Sequence, residues 1–262
     1  MKILALVSSF RKKGNTARIV QMIASEMDAV AARHDEPLEF EILYLAHRDI
    51  EMCRGCRLCF DRGEDHCPLK DDVPAIKAKL DAADAFIFAS PVYVDDVNGV
   101  AKNWIDRMAY LCHRPGLAGK CTYLIATVAD SPTQHTLRTM SMAVRTWGVH
   151  IVGQTGFKMG ALMPQAEVER RYRTETAKIA QTLFHAIAEK RFLRPSFLSL
   201  MIFRIQQISW QKAVERETLD YAYWADQGWF DADSTFYIEH QAHPVKVALA
   251  RLTGSVLAPF VT

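Results

Sequence analysis

The sequence lacks most of the features that would set it apart from an ordinary globular protein. No low-complexity tract interrupts its 262 residues, and half of them are hydrophobic, so the chain can bury a core instead of remaining disordered. Neither sign of charge dominates: 32 lysines and arginines stand against 30 acidic residues, a formal net charge of +2. That balance leaves no electrostatic footprint for a nucleic-acid partner or for strongly acidic substrates. No run of about 18 apolar residues occurs, so no transmembrane helix is expected. The opening "MKILALVSS" resembles the start of an export signal, but its apolar run is short and "RKK" soon follows; a buried strand explains it better. Cysteine is scarce. There are six, of which Cys112 and Cys121 read as small core residues, while the other four crowd into "CRGCRLCFDRGEDHC", residues 53–67. Without an export signal the expected setting is a reducing cytoplasm, where clustered cysteines point to metal or redox chemistry ahead of a disulfide framework.

What the chain does contain is a repeated alternation of apolar runs and amphipathic segments. "KILALVSS", "LEFEILYL", "DAFIFASPVY", "CTYLIATV" and "VHIVGQTGF" read as strands, the third stopped by Pro91. Between and after them, residues 16–33, 71–83, 99–112, 134–147 and 165–190 carry helical periodicity; in the first of these Ile19, Met22, Ile23, Met27 and Val30 share a face. The strands are too apolar to meet water on either side. An open, doubly wound parallel sheet of five strands follows, with helices on both faces. Residues 1–190 form that domain, and 191–262 are an extension of helical character. In such sheets a ligand sits beyond the carboxyl ends of the strands, where the strand order reverses.

The loop after the first strand, "SSFRKKGNTA", offers hydroxyls, an amide, three cations and a flexible glycine at a helix start. Those groups suit an anion, and the absence of both nucleotide-binding glycine signatures favours a monophosphate. This loop is similar to the G-S-P-R-x-x-G-N-T phosphate loop of the flavodoxin-like NAD(P)H-dependent FMN reductases. The stretch "ADAFIFASPVYVDDVNGVAKNWIDR" resembles that family's second signature, A-D-x-I-x-x-x-S-P-V-Y…K-x-x-I-D-R. Together the two cover about residues 1–157. The resemblance implies a flavodoxin-like fold, FMN as cofactor and NAD(P)H as electron donor. It assigns the phosphate to Ser9, Arg11, Asn15 and Thr16, and the flavin ring to Pro91, Val92 and Tyr93, with Asn98 and Gly99 beside them. Two departures stand out. Phe10 replaces the usual proline, and "TVADSPTQHT" lacks the run of glycines that many relatives place against the flavin, leaving Asp130, Pro132 and His135 as a bulkier edge.

The cysteine loop has the spacing C-x2-C-x2-C-x7-C. Bacterial ferredoxins use C-x2-C-x2-C to hold a [4Fe–4S] cluster. The spacing also resembles the compact motif of the iron–sulfur flavoproteins, a branch of the same family, which would make Cys53, Cys56, Cys59 and Cys67 the four ligands. Tetrahedral zinc, a redox disulfide and an empty thiol loop remain open beside it. Nearby charge does not discriminate, because Arg54, Arg57 and Arg62 are nearly cancelled by Asp61, Glu64 and Asp65.

Beyond residue 190 nothing matches those signatures. Phe197–Ile205 is apolar over more than one helix stripe, and the tail from His243 is apolar too, so packing in a homo-oligomer is expected ahead of contact with a membrane. Trp210, Trp224, Trp229, Tyr221 and Tyr223 form an aromatic cluster whose default role is a local core. The expected function is an FMN-dependent oxidoreductase passing electrons between NAD(P)H or a reduced partner and a small-molecule or redox-protein acceptor. A cluster-free NAD(P)H:FMN or quinone reductase, or a non-catalytic carrier docking through its extension, are the alternatives.

Overall fold

The computed structural model describes residues 1–160, 163–212 and 218–261. Residues 213–217 and 262 of the expected extension therefore lie outside the described residues. In chain order the elements are β1 (Lys2–Val7), α1 (Asn15–Arg33), β2 (Glu39–Tyr44), α2 (Leu58–Asp61), α3 (Val73–Ala82), β3 (Ala85–Tyr93), β4 (Asp96–Val97), α4 (Gly99–Arg107), β5 (Cys121–Val128), α5 (Gln134–Thr146), β6 (His150–Lys158), α6 (Gln165–Ala188), α7 (Phe197–Lys212), α8 (Leu219–Asp226) and α9 (Pro244–Val261).

Five strands pair in parallel in the order β2-β1-β3-β5-β6, the doubly wound arrangement expected. Strand β5 is buried along its whole length, and β1 along all but its first residue, which is why both read as near-continuous apolar runs. Successive residues feed opposite faces. Ile3, Ala5 and Val7 pack against Ile19 and Ile23 of α1 and Leu183 of α6, whereas Leu4 and Leu6 join Leu80 of α3, Trp104 of α4 and Met140 of α5. The chain leaves β1 toward β2 and then crosses to β3, so the strand order reverses between β1 and β3.

One expectation is corrected. Pro91 does not stop the third strand: β3 runs through it to Tyr93, and Pro91 lies opposite Thr127 of β5. Ala89 accepts from Ser8 on the β1 side at 3.0 Å, and Pro91, two residues on, faces the same side after β1 has ended. Its missing N–H therefore costs no ladder bond. The overrun lets β4 fold back in antiparallel pairing, with Val92 opposite Val97 and Tyr93 opposite Asp96.

The extension builds a third core from Leu200 and Phe203 of α7, Trp224 of α8, Trp229, Phe236, Tyr237 and Ala250 of α9. Helices α7 and α9 approach closely at Gly254, where a Cβ would sit 2.9 Å from the Met201 carbonyl oxygen and from the Arg204 Cβ. This core is fastened to the sheet domain by polar bonds: Trp224 Nε1 donates to the His113 carbonyl (2.7 Å) and Gln206 Nε2 to that of Cys112 (2.7 Å). Most of α7 is half-buried, so its apolar width is largely used inside the chain. The outward face of α9 is different: Val245, Leu249, Leu252, Val256, Leu257 and Phe260 are all exposed. No helix among the described residues is long and apolar enough to cross a membrane.

Candidate functional site

Beyond the carboxyl ends of β1 and β3 the chain forms a cleft of about 200 Å³. Its first wall is the turn from β1 into α1. Ser9 Oγ accepts from the Arg11 N–H (3.2 Å), and the Gly14 N–H donates to the Arg11 carbonyl (2.8 Å), which curls the loop back on itself. A Cβ on Gly14 would lie 2.8 Å from the Arg11 Cβ and 3.0 Å from its carbonyl oxygen, so the turn needs glycine for closeness. Gly14 caps α1 without a side chain, and the first turn holds no acid. The leading N–H groups of α1 are thus left without a side-chain acceptor beside Arg11, Lys12 and Lys13. That is the electrostatic setting of a phosphate site.

Two hydrogen bonds hold this wall to the other strands. Thr16 Oγ1 meets Thr127 Oγ1 at 2.6 Å, and Asn15 Nδ2 donates to the Gly160 carbonyl at 2.8 Å. Seven residues expected at the cofactor border the cleft together: Ser9, Arg11, Asn15 and Thr16 on one side, Pro91, Val92 and Tyr93 on the other. Thr127, Val128 and Ala129, the start of the fourth loop that the sequence set against the flavin, complete it together with Gly160, which sequence reasoning had not named. Asn98 and Gly99 stand apart from this lining. Asn98 is buried, donates to the Ser8 carbonyl (2.9 Å) and accepts from the Ala101 N–H (3.1 Å), so it caps α4 and ties it to the end of β1. Gly99 is exposed, with open space around it.

The rim opposite the phosphate turn is the β3–β4 hairpin. Val94 and Asp95 both adopt left-handed φ values, 50° and 65°, the backbone of a tight hairpin turn. For a β-branched residue that conformation is strained, and the turn is held from outside: His135 Nδ1 lies 3.1 Å from the Asp95 carbonyl and Thr136 Oγ1 donates to it at 3.4 Å. His135 therefore supports the tip that carries the exposed Tyr93 ring.

The four cysteines border a second, larger cavity of about 870 Å³ under the loop after β2. All are free thiols, Cys53 and Cys56 exposed, Cys59 and Cys67 half-buried. Burial pushes the Cys59 thiol up, and proximity to Cys53, Cys67 and Cys56 pushes in the same direction, so the four are electrostatic neighbours. The donor set is that of a thiolate-bound metal centre, but among the described residues no three Cys, His, Asp or Glu side chains converge at ligand spacing. Backbone curvature comes from Gly55 and Arg57, both left-handed.

The local arginines do little here, since Arg54 pairs with Glu51 and Arg57 with Asp61 at the exposed surface. Two distant guanidiniums reach the loop instead. Arg107, from α4, forms a fully enclosed ion pair with Asp71, donates to the Glu51 carbonyl (2.8 Å) and lies 3.8 Å from Cys67 Sγ. Arg114, also buried, donates to the Cys59 carbonyl (2.5 Å) and to Glu64 Oε2 (3.1 Å), and pairs with Asp220 of α8. Burial alone would push the Asp71 carboxyl up; the Arg107 guanidinium and the Glu51 and Val73 N–H groups outweigh it and hold the group below the usual carboxylate range.

The sequence model of a family described as NADPH-dependent FMN reductase matches residues 1–161. An iron-sulfur flavoprotein of Archaeoglobus fulgidus is 26% identical over 229 residues, covering 87% of this chain and 99% of that protein. Another, from Methanocaldococcus jannaschii, is 36% identical over 107 residues, covering 41% of this chain and 51% of the relative. Among solved structures, RosB with bound 8-demethyl-8-formylriboflavin-5'-phosphate superposes with a TM-score of 0.55 at 14% identity, over 92% of this chain and 91% of its own. The NAD(P)H:(acceptor) oxidoreductase FerB of Paracoccus denitrificans gives 0.51 at 15% identity, over 72% and 98%. At such identities the structural likeness speaks to fold alone.

Proposed function

The chain belongs to the NADPH-dependent FMN reductase family, and from that premise we propose that it moves electrons between NAD(P)H or a reduced partner and an acceptor, using FMN in the β1–β3 cleft and a [4Fe–4S] cluster in the cysteine loop. Bound FMN supplies two-electron chemistry that can be released one electron at a time, and a cluster supplies one-electron transfer. In this reading Ser9, Arg11, Asn15, Thr16 and the open N–H groups of α1 hold the phosphate, while Pro91, Val92 and Tyr93 form the wall for the ring. Asn98 sets the spacing of that wall by tying α4 to Ser8. Residues 1–190 act as the FMN-binding domain and 191–262 as an extension.

The observation that carries the cluster is the set of four free thiols around one cavity, flanked by two buried guanidiniums from outside the loop. Cys53, Cys56, Cys59 and Cys67 are the ligands in this reading, and the likeness in sequence to the Archaeoglobus iron-sulfur flavoprotein, over 99% of that protein, supports it. A cluster-free reductase is the second reading, favoured by sulfurs that do not converge at ligand spacing. Absorption spectra of protein purified without oxygen, with iron and sulfide assayed on the same sample, separate the two. Flavin bands with a broad shoulder and about four irons per chain support the cluster; flavin bands without iron leave a simple reductase.

Association of copies through α9 belongs to the same reading. The exposed apolar residues of α9 need a cover. Both cations of the helix are engaged within the chain, Lys246 with the Pro195 carbonyl and Arg251 with that of Ser234, which leaves neither for lipid headgroups. A second α9 is the better partner for an uncharged face.

A further inference from the structure

The extension does more than add a core: one of its carboxylates reaches the cysteine loop through a single intermediary. We propose that Asp220 is a positioning residue for that loop, acting through Arg114, an inference that rests on the reading that the loop holds an iron–sulfur cluster. Asp220 lies in the first turn of α8, which is capped by Thr218 Oγ1 accepting from the Tyr221 N–H (3.2 Å). Its carboxylate is buried and divided between two neighbours, one oxygen on Arg114 Nη1 and the other 2.7 Å from His113 Nδ1. Arg114 then spends its second terminal nitrogen on the loop, at the Cys59 carbonyl and the Glu64 carboxylate.

The loop has little order of its own to offer. Residues 51–57 carry no regular structure, and α2 is a single turn of four residues closed by the Phe60, Asp61 and Arg62 N–H groups. Its shape must be imposed by its surroundings. Toward the Cys53 end this is done by Asn103, which accepts from the Cys53 N–H (3.0 Å), and toward Cys67 by Arg107. At Cys59 the imposing group is Arg114. Without Asp220 that guanidinium would keep one carboxylate partner, Glu64, whose side chain is half in solvent. It would turn outward with Glu64 and release the Cys59 carbonyl. The contacts around it agree with a docked surface: Leu219 Cδ2 lies 3.6 Å from where a Gly63 Cβ would be, and the Phe60 and His113 rings are 4.6 Å apart.

The test uses the full chain in two variants, Asp220→Ala and the paired Arg114→Met/Asp220→Leu. The second replaces a buried ion pair by apolar side chains of similar size, a change that proteins commonly tolerate without loss of stability. It therefore preserves a merely structural role and removes a positioning one. Amide hydrogen exchange at Phe60, Asp61 and Arg62 is read on iron-free protein, then iron and sulfide per FMN on anaerobically prepared protein. Both variants are expected to exchange those amides about tenfold faster, as for a lost hydrogen bond to a charged group, and to retain less than half the parent's iron with FMN per chain unchanged. Exchange within twofold of the parent in the paired variant overturns the proposal, as does loss of FMN in step with iron. A parent that binds no iron defeats the cluster reading alone, because the exchange measurement still decides whether Asp220 holds the loop. Should Asp220→Ala fail to fold, Asp220→Asn takes its place, and exchange within twofold of the parent in that single variant overturns the role of Asp220 whatever the paired variant shows.

Discussion

Replacing Arg107 by methionine tests whether the loop is held by buried charge. The guanidinium and the Asp71 carboxylate are both enclosed, with side-chain exposures of 3% and 0%. Removing Arg107 strands the Asp71 charge with only the Glu51 N–H (2.9 Å) and the Val73 N–H (3.1 Å) as donors, and leaves the Glu51 carbonyl to Asn103 Nδ2 alone (3.2 Å). Breaking a buried pair from one side costs about 3–5 kcal/mol. With a urea m-value of about 3 kcal/mol per M, the midpoint followed by far-UV circular dichroism should fall by about 1–1.7 M. The double variant Arg107→Met/Asp71→Asn should recover about 1–2 kcal/mol, since it leaves no buried charge without a partner, although one of the Glu51 and Val73 N–H groups then loses its acceptor.

Acidification supplies a second readout of the same variant. In the native protein the Asp71 carboxyl lies below its unfolded value, so its contribution is complete above about pH 4 and is lost as pH falls through the folded value. In the single variant only burial and two N–H groups act on the carboxyl, its folded pKa moves up, and falling pH relieves the strain by protonation. The stability gap between parent and variant should therefore narrow from neutral pH downward. A midpoint shift under about 0.3 M, or a gap that stays constant on acidification, would refute the reasoning.

Three further outcomes follow from other parts of the molecule. Gly14→Ala forces a Cβ against Arg11 and should raise the FMN dissociation constant about tenfold or more with the fold intact, measured by flavin fluorescence titration; unchanged affinity would put the phosphate elsewhere. Mass-spectrometric mapping of iodoacetamide labelling at about pH 8 on iron-free protein should find Cys53 and Cys56 modified first. Cys121 should stay unmodified until unfolding, because it is buried and its thiol is pushed up to about 11. Leu252→Asp places a charge on the exposed face of α9 and should shift the mass found by size exclusion with light scattering toward the 29.7 kDa of one chain; an unchanged mass would exclude that face as the interface.

How far the sequence could be read depended on the reach of each signal. The central parallel strands were legible because strands covered on both faces are built mostly of apolar residues, as β5 is apart from Thr122 and Thr127. Pro91 misled because the ladder bond it forgoes has no partner once β1 has ended. Seven cleft residues were legible because they sit in two contiguous loops, whereas Gly160 follows its strand with no pattern of its own. The charges that hold the cysteine loop were not legible at all. Arg107 meets Asp71 across 36 residues and Arg114 meets Asp220 across 106. Counted in sequence, the loop's own acids and bases cancelled; folding brings in two buried ion pairs from outside it.

The span between Arg114 and Asp220 also bears on the order in which the molecule is assembled. Synthesis runs from the amino end, so all six strands leave the ribosome before Asp220 does. The cleft between β1 and β3 can close, and accept its ligand, on a chain whose cysteine loop still lacks its last fastening. If the cysteine loop takes the cluster proposed for it, its loading is the later event, waiting for α8 to dock on a domain already folded around its cleft.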